Sequence, residues 1–351
     1  WRDWSSDVCS SDLNFVTFCH ILRSYSNASE ERQREFNQTI HGFIDKEKFV
    51  QYIHESTGNT PLIIACDKGR TDIVRLLLQK GADPNIQNKT GDTALIVTCI
   101  KGHTEIVKLL MDDNRTNPNI KNKKDNTPLI FACDIGHTEI TQLLLQKGVD
   151  PNIKNDYDDT PLMVACVRGH TEIVKLLMDD NRTNPNIQNK TGDTALILSI
   201  KSYLTIISIR DLVKILLKDL SIKINIDGYT EYSSNLGNIQ LVNRSGKKVG
   251  NKPDYPLDVN IKNKYSSTAL MYAINLFNQK NRSITASEEK YITEIIELLV
   301  AKGANARLEN NNLQNSLEFF DDLIIHKKIK ISEELYQIIK NILETSINYY
   351  E

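Results

Sequence analysis

A motif returning at a nearly constant interval constrains this chain more than any other feature. Thr60-Pro61-Leu62 recurs as Thr93-Ala94-Leu95, Thr127-Pro128-Leu129, Thr160-Pro161-Leu162 and Thr194-Ala195-Leu196, at steps of 33, 34, 33 and 34 residues. A weaker copy stands at Thr268-Ala269-Leu270, and Ser316-Leu317 opens a last, degenerate one. The intact copies continue with Gly-His-Thr-Glu-Ile or a variant, then a leucine run and Asp-Pro-Asn or a variant. A period of this length marks supersecondary units that cannot bury their apolar faces alone. Neighbours must supply one another's core, and the chain is expected to stack into a solenoid.

Each unit reads as two short helices. Thr60 is placed to cap a first helix with its hydroxyl, and Pro61 suits the first turn, where no amide partner is lost. Gly69 ends that helix. Ile73, Val74, Leu76 and Leu77 form the apolar stripe of a second helix, which Gly81 can close in the left-handed conformation.

The repeat TPLIIACDKGRTDIVRLLLQKGADPNIQNKTGD resembles an ankyrin repeat over its whole length, and four copies are nearly intact. The resemblance extends over residues 60–325. It implies an all-α ankyrin-repeat solenoid of stacked helix-turn-helix units joined by hairpin loops, to which the residues outside the repeats add helical caps and one β-hairpin insertion. One departure from the family stands out. The histidine that commonly follows Thr-Pro-Leu is replaced by Ile63, Ile96, Ile130, Met163, Ile197 and Met271, which exchanges a polar network between repeats for apolar packing. In the 34-residue copies Asn114 or Asn181 replaces the closing glycine, with Arg115 or Arg182 as the extra residue. Asparagine is the next best residue for the left-handed backbone, so these asparagines are expected to take it.

The organisation expected outside the repeats is as follows. Residues 1–13, WRDWSSDVCSSDL, resemble the translation of a sequencing-library adapter and are set aside as non-native, so sequence upstream is expected to be missing. Residues 14–59 carry helical spacing at Phe36, Ile40 and Phe43, then at Phe49, Val50 and Ile53, and read as an N-terminal cap. Repeats one to five occupy 60–218, an insertion read as a β-hairpin occupies 219–256, and degenerate repeats occupy 257–325. A second insertion falls near Asn275 to Tyr291, after which a helix resumes at Ile295. In 326–351, Ser332 followed by Glu333 and Glu334 starts a C-terminal capping helix with Leu335, Ile338, Ile339 and Ile342 on its apolar face.

Removing the arginine and three aspartates of the first thirteen residues from the 43 basic and 45 acidic residues leaves a formal net charge of zero. Neutrality argues against a dedicated nucleic-acid binder, whose affinity comes from a basic surface. The longest strongly apolar stretch, about Thr194 to Ile209, is interrupted by Lys201 and is shorter than the ~20 residues that cross a bilayer. No membrane contact is expected.

Cys66, Cys99, Cys133 and Cys166 recur with the repeat. Equivalent positions in stacked helices lie ~8–10 Å apart, whereas a disulfide needs Cα atoms within ~7 Å. A ladder also cannot gather four zinc ligands around one point. Small buried thiols are expected, in keeping with a reducing, cytoplasmic compartment. His103, His137 and His170 occupy a repeated turn position and read as structural. No nucleophile–base pair, zinc motif or phosphate-binding glycine loop is visible, so neither an enzyme nor a cofactor is expected.

Within the ankyrin resemblance, binding residues lie on the hairpin tips before each Thr-Pro-Leu and near the end of each first helix. That points to Asp67, Lys68, Lys123, Lys124, Tyr157, Asp159, Arg168, Asp193 and Tyr265, with Lys89, Asp92, Asp156 and Lys190 at comparable places. Tyr157 and Arg168 stand out, because tyrosine and arginine dominate interface energies. The expected function is a protein-binding scaffold that uses its concave groove and acts as a monomer. Two other readings are open. The chain could be the recognition arm of an enzyme or toxin whose catalytic domain lies upstream. Alternatively, Arg244, Lys247, Lys248 and Lys252 of the insertion could meet nucleic acid or an acidic surface.

Overall fold

The computed structural model describes residues 6–25, 29–45, 47–202, 205–217, 257–278, 284–325 and 331–349. These residues form helices and connecting turns, with no strand among them. The 219–256 insertion lies outside the described residues.

Two layers of helices run the length of the stack. The inner layer consists of α4 (Pro61–Asp67), α6 (Ala94–Lys101), α8 (Pro128–Ile135), α10 (Pro161–Arg168), α12 (Ala195–Lys201), α14 (Ala269–Asn275) and α16 (Ser316–Ile325). The outer layer consists of α5 (Thr71–Gln79), α7 (Thr104–Asp112), α9 (Thr138–Gln146), α11 (Thr171–Asp179), α13 (Ile206–Leu216), α15 (Ala286–Ala301) and α17 (Glu333–Tyr349). Successive inner helices touch one another, successive outer helices do the same, and each inner helix packs on its own outer partner. Helices of seven to nine residues are too short to persist alone, so their order comes from this packing.

The repeated threonine opens the first six inner helices, and Asn315 opens α16. Thr60, Thr93, Thr127, Thr160, Thr194 and Thr268 each accept from the amide three residues on, at 3.2–3.4 Å. Beyond the cap, one face of each inner helix enters the core. Leu62, Ile63, Ala65 and Cys66 are buried, as are Leu162, Met163, Ala165 and Cys166 farther along the stack. The residues that replace the family's histidine are therefore core residues. The four repeated cysteines are 0% exposed and free.

The repeated histidines are packing elements. A side chain at Gly102 would place its Cβ 2.7 Å from His137 of the next unit, because the imidazole lies flat against that glycine. Gly102 also has φ +78, so its lack of a side chain serves both the turn and the contact. His170 lies in the same way on Gly136, and its Nε2 is 3.2 Å from the Asp134 carbonyl oxygen.

The 34-residue units close differently from the sequence expectation. Gly81 and Gly148 of the 33-residue units have φ +88 and +83. Asn114 and Asn181 do not enter the left-handed region; the outer helices stop at Asp113 and Asp180, both extended with ψ 110. The extra arginine instead reaches back to the unit before it. Arg115 donates to the Leu78 carbonyl at 3.1 Å, and Arg182 donates to those of Leu145 and Val149 at 2.9 and 3.2 Å. Leu78 and Leu145 already accept from the Gly81 and Gly148 amides, so each arginine adds a charged donor there and ties its own unit to the preceding one, a contact that sequence spacing alone does not reveal.

The ends of the stack are helical. The N-terminal segment forms α1 (Ser6–Ser24), α2 (Glu30–Ile44) and α3 (Glu47–Val50), with α1 and α3 against α4. Phe15, Phe18, Ile21 and Leu22 of α1 are buried with Ile40, Ile44, Phe49 and Val50, whereas Ile53 is half exposed. Helix α1 thus begins within the residues set aside at the sequence level. Near the other end, α15 starts at Ala286, well before Ile295. A capping box sets that start, in which Thr285 and Glu288 satisfy each other's backbone amides. Ser346 of α17 donates to the Ala304 carbonyl at 2.7 Å and accepts from the Ala306 amide at 3.1 Å, which fixes α17 to the last hairpin.

Candidate functional site

Inner-helix positions are either buried or turned away from the outer layer. Four residues after each capping threonine stand Ile64, Val97, Phe131, Val164, Leu198 and Tyr272, all half-buried. One stack position apart from one another, they form an apolar stripe on the inner-helix face, and Ile135 and Val167 beside it are 41% and 43% exposed. Sequence reasoning passed over this stripe. The signal was present, since a large apolar residue stands four positions after every capping threonine of the inner layer.

Charged residues at the helix ends border the stripe. Asp67 pairs with Lys68 at 2.7 Å and with Lys101 of the next unit at 3.0 Å. Burial acts to raise its carboxyl, but the two ammonium groups outweigh that and hold it below the usual range. Arg168, the last residue of α10, donates through Nε to Asp134 of the preceding unit at 2.6 Å. Asp134 stabilises the guanidinium charge, and the side chain is still 56% exposed.

The hairpins border the same face. Their backbones pair from unit to unit: the Lys123 amide donates to the Thr90 carbonyl, Asp156 to Lys124 and Lys190 to Tyr157, at 3.1–3.2 Å. Lys123 and Lys124 are exposed. Tyr157 is 64% exposed and Tyr265 51%, the latter beneath the Lys264 ammonium at 5.0 Å.

The two acidic tip residues behave otherwise. Asp193 is 1% exposed; it accepts from Lys201 at 2.6 Å, Thr191 at 2.7 Å and Asn263 at 2.8 Å. Asp159 is half-buried and accepts from Asn189 at 2.8 Å. Burial raises the Asp159 carboxyl above its ordinary range, with the Asn189 bond opposing and the charges of Asp193, Asp158 and Asp156 adding. Both belong to a ladder between hairpins that also includes Asn122 to Asp92 at 2.8 Å and Asn88 to Asn59 at 3.0 Å. A polar network between repeats therefore exists, placed at the hairpin bases instead of behind Thr-Pro-Leu. Asp193 has no surface to offer a partner. The structure thus brings Asp67, Lys68, Lys123, Lys124, Tyr157, Arg168 and Tyr265 to the edges of one face, and turns Asp159 and Asp193 inward.

The stacked helix pairs, the hairpin ladder and the uncovered inner face define a helical repeat scaffold. A family model of three ankyrin repeats matches residues 78–155 and again 147–228, and the single ankyrin-repeat model matches residues 57–89. Residues 57–228 are thus ankyrin repeats, which are generally protein–protein interaction modules. The crystal structure of EF0377, an ankyrin repeat protein, is similar over 71% of this chain and 96% of its own, with 22% sequence identity and a TM-score of 0.49. No curated protein matches the chain. Among the described residues, no helix is long and apolar enough to cross a membrane.

Proposed function

We propose that this protein binds another protein along its inner-helix face, as a scaffold and not as a catalyst. The observation that carries this reading is the half-buried apolar stripe from Ile64 through Phe131 to Leu198, on which no further layer of helices packs among the described residues. Apolar surface repeated from unit to unit is costly to expose, and its natural use is as the core of an interface. Tyr157, Arg168 and Tyr265 supply amphipathic residues at its rim, with Asp67, Lys68, Lys123 and Lys124 beside them. A preformed helical stack also loses little conformational freedom when it binds.

Affinity capture from the native cell or its host, followed by mass spectrometry, would identify the partner, and calorimetry on alanine variants would locate the contact. Phe131→Ala and Tyr157→Ala are expected to weaken binding by ~2 kcal/mol or more, with unchanged helical content. Arg168→Ala should fall in the same range, because Asp134 is then left without its partner at the interface. Losses confined to the outer-helix residues Lys108 and Lys175 would place the contact on the opposite face and refute the proposal.

A further inference from the structure

The inner-helix face ends in a cleft at its N-terminal limit. Helix α1 stands beside α4 there, and a cavity of about 240 Å³ opens between them. Cys19 and Arg23 of α1, Ile64 and Lys68 of α4, Asn59 of the first hairpin and Val97 of α6 line it. Its apolar floor is thus the beginning of the stripe described above.

Hydrogen-bond donors outnumber acceptors around this cleft. Arg23 is exposed and has no carboxylate or other polar partner among the described residues. Asn59 uses its amide oxygen to accept from Asn88, and its Nδ2 has no acceptor among the described residues. Asp67 is the lining carboxylate, and it is shared by two ammonium groups, those of Lys68 and Lys101. Along the hairpin edge Lys89, Lys123 and Lys190 are exposed and form no ion pair among the described residues, with the exposed Asp125 also unpaired at the Lys123 tip. What these groups lack is an anion.

The cleft lies below the ~300–1,000 Å³ of pockets that enclose a small molecule, and it opens onto an apolar track. A single side chain of a larger partner fits that form better than a free ligand. We propose that the α1–α4 cleft receives an aspartate or glutamate side chain from an extended acidic segment of the bound protein, an inference that rests on the inner-face reading above. Arg23 and Lys68 hold the carboxylate, and Asn59 donates to it. The segment then runs over Ile64, Val97 and Phe131, with further acidic side chains turned toward Lys89 and Lys123. Units ~10 Å apart and an extended rise of ~3.3 Å per residue place successive acidic residues about three apart, with apolar residues between them.

A phage-displayed library of random 12-residue peptides, panned on the full chain, tests this even while the natural partner is unidentified. The selected peptides are expected to be enriched in Asp and Glu at about three-residue spacing with apolar residues between. One synthetic representative, followed by fluorescence anisotropy, should bind about tenfold more weakly when its first acidic residue becomes Gln, and about tenfold more weakly to Arg23→Ala. The double variant Arg23→Glu/Lys68→Glu should select a different, basic set, with an unchanged circular dichroism spectrum. Failure to select any peptide, selection without acidic bias, or indifference to both the Gln change and Arg23→Ala would overturn the proposal. Neutral peptides that are lost on Phe131→Ala but retained on Arg23→Ala would remove the acidic cleft and leave the inner-face reading standing. Displacement of the peptide by a twelve-residue oligothymidylate at 0.15 M salt would assign the cations to phosphate and would also overturn it.

Discussion

Replacing the half-buried Arg182 by alanine should weaken the stack markedly. Its guanidinium reaches into the preceding unit to the carbonyls of Leu145 at 2.9 Å and Val149 at 3.2 Å, while Nε and Nη2 grip both oxygens of Asp180. Hydrogen bonds from a charged donor contribute about 1.5–3 kcal/mol each when nothing replaces them. The Arg182 side chain is 34% exposed, so water recovers part of that, and roughly 1 kcal/mol for each carbonyl is a fair allowance. Loss of the bidentate partner of Asp180, itself 14% exposed, adds about 1 kcal/mol. The expected cost is therefore ~3 kcal/mol. Arg115 grips Asp113 in the same bidentate way but makes one carbonyl bond, to Leu78, from a side chain 46% exposed, so Arg115→Ala should cost less, ~1.5 kcal/mol. Urea unfolding followed by circular dichroism measures both. Because each repeat is stabilised by its neighbours, Arg182→Ala should also broaden the transition by loosening the third unit from the fourth. A cost for Arg182→Ala below ~0.5 kcal/mol, or no larger than that of Arg115→Ala, would refute the linking role assigned to this residue.

Burial pushes the Cys66 and Cys133 thiols up to about 12 and raises those of Cys99 and Cys166 as well. All four should therefore resist a thiol reagent at pH 8 until the protein unfolds, and stoichiometric zinc or a disulfide between any two would contradict the ladder. The same shift favours the protonated thiols of the folded state. Their stabilising effect is complete below about pH 9 and declines above it, by ~1.4 kcal/mol per thiol for each pH unit up to the folded value, so the urea midpoint should fall steeply from pH 9 to pH 11. Gly81 and Gly91 both have positive φ, but a Cβ at Gly81 meets nothing within 4 Å, whereas one at Gly91 would lie 2.6 Å from the Lys123 amide nitrogen. Gly81→Ala should cost ~1–2 kcal/mol from backbone strain alone, and Gly91→Ala measurably more in thermal unfolding, because the hairpin contact must also open. Leu110 is 0% exposed while its neighbour Leu109 is half-buried. Leu110→Ala is expected to cost ~2–5 kcal/mol and Leu109→Ala distinctly less, and equal costs would indicate that the register of α7 is wrong.

The repeat period by itself determined the architecture. Thr60, Pro61, Gly69 and the leucine run specify local structure through caps, turns and helical periodicity, and these act within one unit, so a linear reading captures them. Their recurrence then forces stacking, because no unit buries enough surface alone. What lies between units was not legible in the same way. The left-handed asparagines expected at 114 and 181 gave way to Arg115 and Arg182, whose hydrogen-bond partners lie 33 to 37 residues earlier in the chain. Asp193 read as an exposed tip residue and proved to be buried, because Asn263, 70 residues later, and Lys201 converge on it. The apolar stripe and the α1–α4 cleft likewise arise only when helices distant in sequence are set side by side. Local chemistry fixes the unit, whereas the burial and charge of a surface residue depend on what the next unit brings against it, and only the tertiary structure decides that.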